Sequence, residues 1–150
     1  MNSLSPNAKL VTEIFDQVAK GNGAPFWEAC ADNVVWRTIG QGSWSGEFVG
    51  KQTIIDEIFR PLNRVLVERA TVPTRLIDGG DVIVLQARGR NLTRDGQRYD
   101  NEYAFVIHFR DGKIGQDRPV RRVLRHGPDR SRPARPHRGQ VDVQAHLNRA

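Results

Sequence analysis

The sequence predicts a single α+β domain in which helices cover one face of a curved antiparallel sheet. Two observations carry this. Apolar residues recur at helical spacing in the N-terminal part, and from Arg69 onward the pattern changes to period two, in three long runs separated by glycine-bearing turns. Helices first and strands afterwards fit an α+β layering rather than alternating βαβ units. A length of 150 residues fills one core and is too short for two.

The elements follow in order. Ser5 before Pro6 is a helix-start signal, and Leu10, Val11, Ile14, Phe15 and Val18 form one apolar stripe that stops at Gly21. Pro25 opens a shorter helical segment over 26–31, and Asp32-Asn33 turns the chain into the β-branched stretch Val34 to Ile39. Gly40, Gly42, Gly46 and Gly50 punctuate an expected loop holding Trp44 and Phe48. Ile54, Ile55, Ile58 and Leu62 mark a further helix, bent or ended near Pro61, whose ring and missing N–H oppose a helix interior. The period-two runs cover 69–77, 81–90 and 98–110, with turns at Gly79-Gly80 and over 93–97, and read as an antiparallel meander. Asp111-Gly112 is another hairpin turn. Lys113-Ile114 then begins a strand that the following residues do not continue.

The formal net charge of +6 belongs to one end of the chain: residues 115–150 hold nine arginines against three aspartates, so residues 1–114 are balanced. That end also carries four of the eight prolines and no Phe, Trp or Tyr, which predicts a basic, Arg/Pro-rich, disordered tail appended to a domain over residues 1–114. Cys30, the single cysteine, has no partner for an intramolecular disulfide and reads as a small buried hydrophobe. No Cys/His set has zinc spacing and no glycine-rich phosphate loop occurs, so neither a metal nor a cofactor is expected. A mean hydropathy of -0.55 excludes a membrane span, and the N-terminus lacks the apolar run of a secretory signal, so a cytoplasmic location is expected.

Four segments point to a family: A-D-N-V-V-W-R-T-I-G (31–40), S-G-E-F-V-G-K (45–51), G-D-V-I-V-L-Q-A-R-G-R (80–90) and R-D-G-Q-R-Y-D-N-E-Y-A-F-V-I-H-F-R-D-G-K-I (94–114). In order and spacing they resemble SnoaL-like members of the nuclear transport factor 2-like superfamily, over about residues 8–114. The resemblance implies a cone-shaped fold whose curved sheet encloses an apolar pocket, commonly as a homodimer. Ketosteroid isomerases, polyketide cyclases and limonene epoxide hydrolase-like enzymes share this fold, so fold alone does not settle function.

Alternation along 98–110 puts Tyr99, Asn101, Tyr103, Phe105, Ile107 and Phe109 on one face. With that aromatic face turned inward, Asn101 and Tyr103 offer an amide and a phenol inside an apolar cavity, which orients a small organic ligand. Trp36, Trp44 and Phe105 are expected as flat walls of that pocket. Core packing competes with a ligand role at Trp36, Trp44 and Tyr103. His108 falls on the opposite face, and Asp32 reads as a turn residue. Arg88 and Arg90 face a ligand carboxylate or, as the safer assignment, Asp100 and Glu102 across the hairpin.

The resemblance also exposes departures. Ketosteroid isomerases carry a base aspartate near the end of the first strand, where this chain reads Trp36-Arg37-Thr38-Ile39-Gly40. Their acidic oxyanion donor falls near Ala104 or Phe105. Neither side chain can donate, so a steroid isomerase mechanism is not expected and the catalytic residues stay unassigned. Family members usually follow G-K-I with a strand of the type E-Y-x-D, whereas this chain continues G-Q-D-R-P-V-R-R-V-L-R-H-G-P. Back-translation accounts for the break: GGC AAG ATC for 112–114 and GGG CAA GAT for 115–117 repeat GGCAAGAT one base out of phase. In the shifted frame, permitted codons for 118–127 yield D-Q-Y-V-E-Y-F-D-T-A. The tail then reads as the product of a tandem repeat that shifted the frame, and the last strand of the sheet is expected to be missing or poorly held.

The functional expectation is a SnoaL-like pocket protein for a small hydrophobic ligand, acting as an isomerase, cyclase or hydratase without cofactor. The alternative is a non-catalytic binder. Nucleic-acid binding through the basic tail is disfavoured, because no aromatic residue interleaves with its arginines to stack on bases.

Overall fold

In the computed structural model, which describes residues 3–39, 41, 45–115 and 140–146, Ser5 starts α1 (Pro6–Val18) as the sequence predicts. Its side chain accepts the Ala8 N–H at 3.1 Å, and Pro6, which has no N–H to leave unpaired, occupies the first turn. The stripe on α1 buries Ala8, Val11, Ile14 and Phe15. A second short helix, α2 (Ala24–Ala29), buries Phe26, whose ring meets Phe15 edge-on at 6.2 Å. After the turn at Asp32, β1 (Val35–Ile39) pairs antiparallel with β2 (Gly46–Val49), Trp36 opposite Phe48. Residues 46–49 are thus a strand and not the expected loop. Asp32 itself is solvent-exposed and lies 3.6 Å from Lys51, consistent with a turn role.

The third helical region runs through Pro61 instead of stopping there. It comprises α3 (Lys51–Ile54), a π-helical turn (Ile55–Phe59) and α4 (Arg60–Val65), with Pro61 in the first turn of α4. The wider turn ahead of Pro61 accommodates a residue that cannot donate to the preceding helix.

The meander appears as expected: β3 (Leu66–Asp78), β4 (Val82–Thr93) and β5 (Glu102–Arg110), followed by β6 (Lys113–Ile114), which pairs with β5 and makes one bridge to Cys30. The sheet curls into a half-barrel over the helices, and its buried face carries Ile83, Leu85, Ala87, Phe105, Ile107 and Phe109. Phe15 of α1 packs on Phe105 at 5.5 Å and so joins the helical layer to the sheet. Two β-bulges interrupt β3 against β4, between Leu66 and Glu68 and between Pro73 and Arg75. Ser5 ties α1 to the far end of β3, donating from its backbone N and its Oγ to the Asp78 carboxylate at 2.6 and 2.7 Å.

One expectation needs correction. The tail is expected to lie apart from the domain, with the sheet's last member missing or poorly held, yet residues 140–146 form β7 (Gln140–His146), which sits between β1 and β5. It runs antiparallel to β5, Val143 opposite Phe105, and parallel to β1, Val143 opposite Thr38. The sheet order is β2-β1-β7-β5-β4-β3. The physical reason is local composition: Q-V-D-V-Q-A-H holds no arginine and no proline and places Val141, Val143 and Ala145 at every second position. An average over the tail conceals that pattern. The rest of the expected tail, residues 116–139 and 147–150, lies outside the described residues. At the junction Gly115 is required: its φ is +71°, and a Cβ would stand 2.5 Å from Cγ2 of Val34.

Candidate functional site

Between the helices and the concave face of the sheet lies a cavity of about 230 Å³. Its walls are aromatic. Trp36 from β1 is buried and meets Phe59 from the π turn nearly perpendicularly, with ring centroids 5.4 Å apart, and Trp27 from α2 stands 5.0 Å from Phe59. Phe105 and Tyr103, two residues apart on β5, turn to the same side with centroids 5.5 Å apart. The indole N–H of Trp36 donates to Oγ1 of Thr38, itself a lining residue, at 3.0 Å, which fixes the ring plane.

One end of the cavity is polar. Alternation on β4 buries Ile83, Leu85, Ala87, Gly89 and Asn91 in unbroken sequence, so that Asn91, 3 % exposed, ends an otherwise apolar face. Its backbone N–H donates to Asp100 Oδ1 at 2.7 Å and its Nδ2 to the Tyr99 carbonyl at 2.7 Å. The Asn91 N–H and, next, the Arg98 side chain 2.8 Å away hold the Asp100 carboxyl below its ordinary range. Asn101 is buried beside Tyr103. Burial, only partly offset by the polar side chains of Asn101 and Asn91, raises the Tyr103 pKa above its ordinary value of 10.0, so the phenol stays protonated. Gly89 makes this packing possible: a Cβ there would lie 2.8 Å from Asn91 Nδ2 and 3.0 Å from Tyr103 Cε2.

Of the residues the sequence nominated, the structure brings Trp36, Asn101, Tyr103 and Phe105 to this one cavity. Trp44 lies outside the described residues. His108 sits on the other face of β5, Arg88 pairs with Glu102 at 2.8 Å, and both stay away from the cavity. Cys30 is buried, and burial pushes its thiol up to about 12, which leaves it unreactive at neutral pH.

Sequence reasoning missed Trp27, Phe59, Arg69 and Asn91, all of which line the cavity. Asn91 had a signal, the single polar residue closing the buried face of β4. Arg69 had none, because the bulge between Leu66 and Glu68 resets the alternation of β3 just ahead of it. The Arg69 guanidinium stacks on Phe59, 5.3 Å from the ring centroid, and burial lowers its pKa below the ordinary guanidinium range. Among the described residues that line the cavity there is no aspartate, glutamate or histidine.

A half-barrel sheet cupped over helices around an aromatic cavity defines a protein of the NTF2-like fold. The solved structures it resembles include an NTF2-like protein of unknown function from Burkholderia pseudomallei, at 18% identity and a TM-score of 0.67 over 97% of this chain and 92% of that one. An NTF2-like protein from Anabaena variabilis matches at 15% identity and a TM-score of 0.66, over 99% and 96%. TerC, co-crystallised with polyporic acid, matches at 16% identity and a TM-score of 0.64, over 93% and 90%. No curated protein matches the sequence. The model of the SnoaL-like domain matches residues 11–116, and the chain belongs to that family, as the resemblance implied. Among the described residues no helix is long and apolar enough to cross a membrane.

Proposed function

We propose that this chain is a small-molecule pocket protein that binds a flat, largely apolar ligand without cofactor chemistry. The observation that carries this is the cavity itself. Trp27, Trp36, Phe59 and Phe105 offer rigid planes, and a protonated Tyr103 at the polar end beside Asn101 offers a hydrogen bond to one ligand oxygen. TerC, which shares the fold, was co-crystallised with polyporic acid, and that supports a small organic guest. A catalytic reading as isomerase, cyclase or hydratase needs a base near the ligand. The described lining supplies a proton donor and no carboxylate or imidazole, so binding is favoured over turnover.

The neutral dye N-phenyl-1-naphthylamine tests the reading. Its fluorescence should rise with one-to-one stoichiometry, and Thr71→Trp, which introduces an indole at a lining position, should abolish the rise while leaving the far-UV circular dichroism intact. Absence of any saturable rise with the unaltered chain would refute it.

A further inference from the structure

The polar end of the cavity contains two buried atoms with no hydrogen-bond partner among the described residues: Nη1 of Arg69 and Oδ1 of Asn91. They are neighbours by register. Arg69 and Asn91 are Cα partners across β3 and β4, and in an antiparallel pair directly opposite residues project from the same face. Both line the cavity. Buried polar atoms are nearly always paired, and each exception calls for an explanation. Arg69 is half-buried, and the buried part of its guanidinium is the more demanding of the two, because a partly desolvated cation favours an opposing charge. None of the ion pairs among the described residues involves Arg69, and its one close ring contact is with Phe59.

We infer that Arg69 is the anion-recognising residue of this pocket and that the ligand is a flat ring compound bearing a carboxylate, whose oxygen accepts from Nη1 of Arg69. Asn91 Oδ1 then accepts from a hydroxyl or N–H on the same ligand beside the carboxylate. Several features fit this chemistry. The planar guanidinium matches a carboxylate in shape, and Phe59 underneath holds its plane at the mouth of the aromatic walls. Tyr103, kept protonated by burial, donates and brings no negative charge to compete with the ligand. The cavity lining contains one cation and no anion among the described residues, so a monoanionic guest brings it to neutrality.

This inference rests on the pocket reading above, and the experiment separates their failures. The full-length chain is titrated with 2-naphthoate and with its methyl ester, following tryptophan fluorescence. The acid should bind at least about tenfold more tightly, as expected for a hydrogen bond to a charged group. Arg69→Gln should bring the two affinities within about twofold of one another, with Arg69→Lys in between. Equal affinities of acid and ester for the unaltered chain, a comparison that needs no variant, would overturn the anion assignment and leave the apolar pocket standing. A preference for the acid that survives Arg69→Gln in a folded variant would also overturn it. Failure of both probes to bind would overturn the pocket reading and this inference together.

Discussion

Arg69 on β3 and Asn91 on β4 stand directly opposite one another, and that register puts side by side the two buried side-chain atoms without a protein partner among the described residues. The pairing depends on a glycine. Gly89, two positions before Asn91, has no side chain where Asn91 Nδ2 and Tyr103 Cε2 come close, and its backbone N–H donates to the Asn101 carbonyl at 2.7 Å.

Gly89→Ala is therefore expected to push the polar end of the cavity apart. Overpacking of this kind costs about 1–3 kcal/mol, read as a lower urea midpoint. Dye affinity should fall with it, since the displaced residues line the cavity. An alanine variant as stable as the unaltered chain would show that Asn91 and Tyr103 move aside freely.

Tyr103→Phe should retain the fold at a cost of about 1 kcal/mol, because a polar hydroxyl is lost beside the buried side chains of Asn101 and Asn91. The pH dependence has a definite sign. The folded pKa of Tyr103 is raised, so its contribution to stability is complete below the ordinary value of 10.0 and is lost as pH rises toward the folded value. Alkaline unfolding should accordingly shift to higher pH in Tyr103→Phe.

Asp78 predicts the opposite dependence. The Ser5 backbone N–H, the Ser5 hydroxyl and the Gly80 N–H hold its carboxyl below the ordinary value of 3.8. Its contribution is complete above that value and lost as pH falls through the folded one. Asp78→Asn should flatten the acid limb of a stability profile measured by urea denaturation. An unchanged slope would mean that the α1 to β3 tie does not persist in solution.

Val143→Pro tests β7. Val143 is paired on both sides, with Thr38 and with Phe105, and proline removes an N–H from a central strand. Loss of cooperative melting and of dye binding is expected. If the variant, or a chain ending at residue 139, melts like the unaltered protein, the domain closes without 140–146.

The nucleotide sequence checks the frame reading. A near-repeat of GGCAAGAT is expected across codons 112–117, followed in the shifted frame by the E-Y-x-D strand. Its absence would leave the arginine-rich tail as an original feature of the chain.

Local signals made most of this architecture legible. Ser5-Pro6 and the stripe from Leu10 to Val18 gave α1 because capping and helical periodicity act within a few residues. Alternation gave β5 and, with it, the common facing of Asn101, Tyr103 and Phe105. Features decided at long range escaped. Whether 46–49 is loop or strand depends on pairing with β1, and Arg69 reaches the cavity only through a bulge that no short window reveals. Residues 140–146 looked like tail because their neighbours in sequence are arginine and proline, while their neighbours in space are β1 and β5.

The parallel seam of β7 has a consequence for how the pocket comes into being. β1 with β2, and β3 with β4 and β5, are leaflets made from adjacent stretches of chain and can assemble quickly. The cavity draws Trp36 from one leaflet and Tyr103 from the other, so it exists only once a distant segment has stitched the two together. A guest that touches both leaflets works as a second stitch: its affinity and the closure of the sheet draw on the same equilibrium, and saturating ligand should slow the parting of the leaflets.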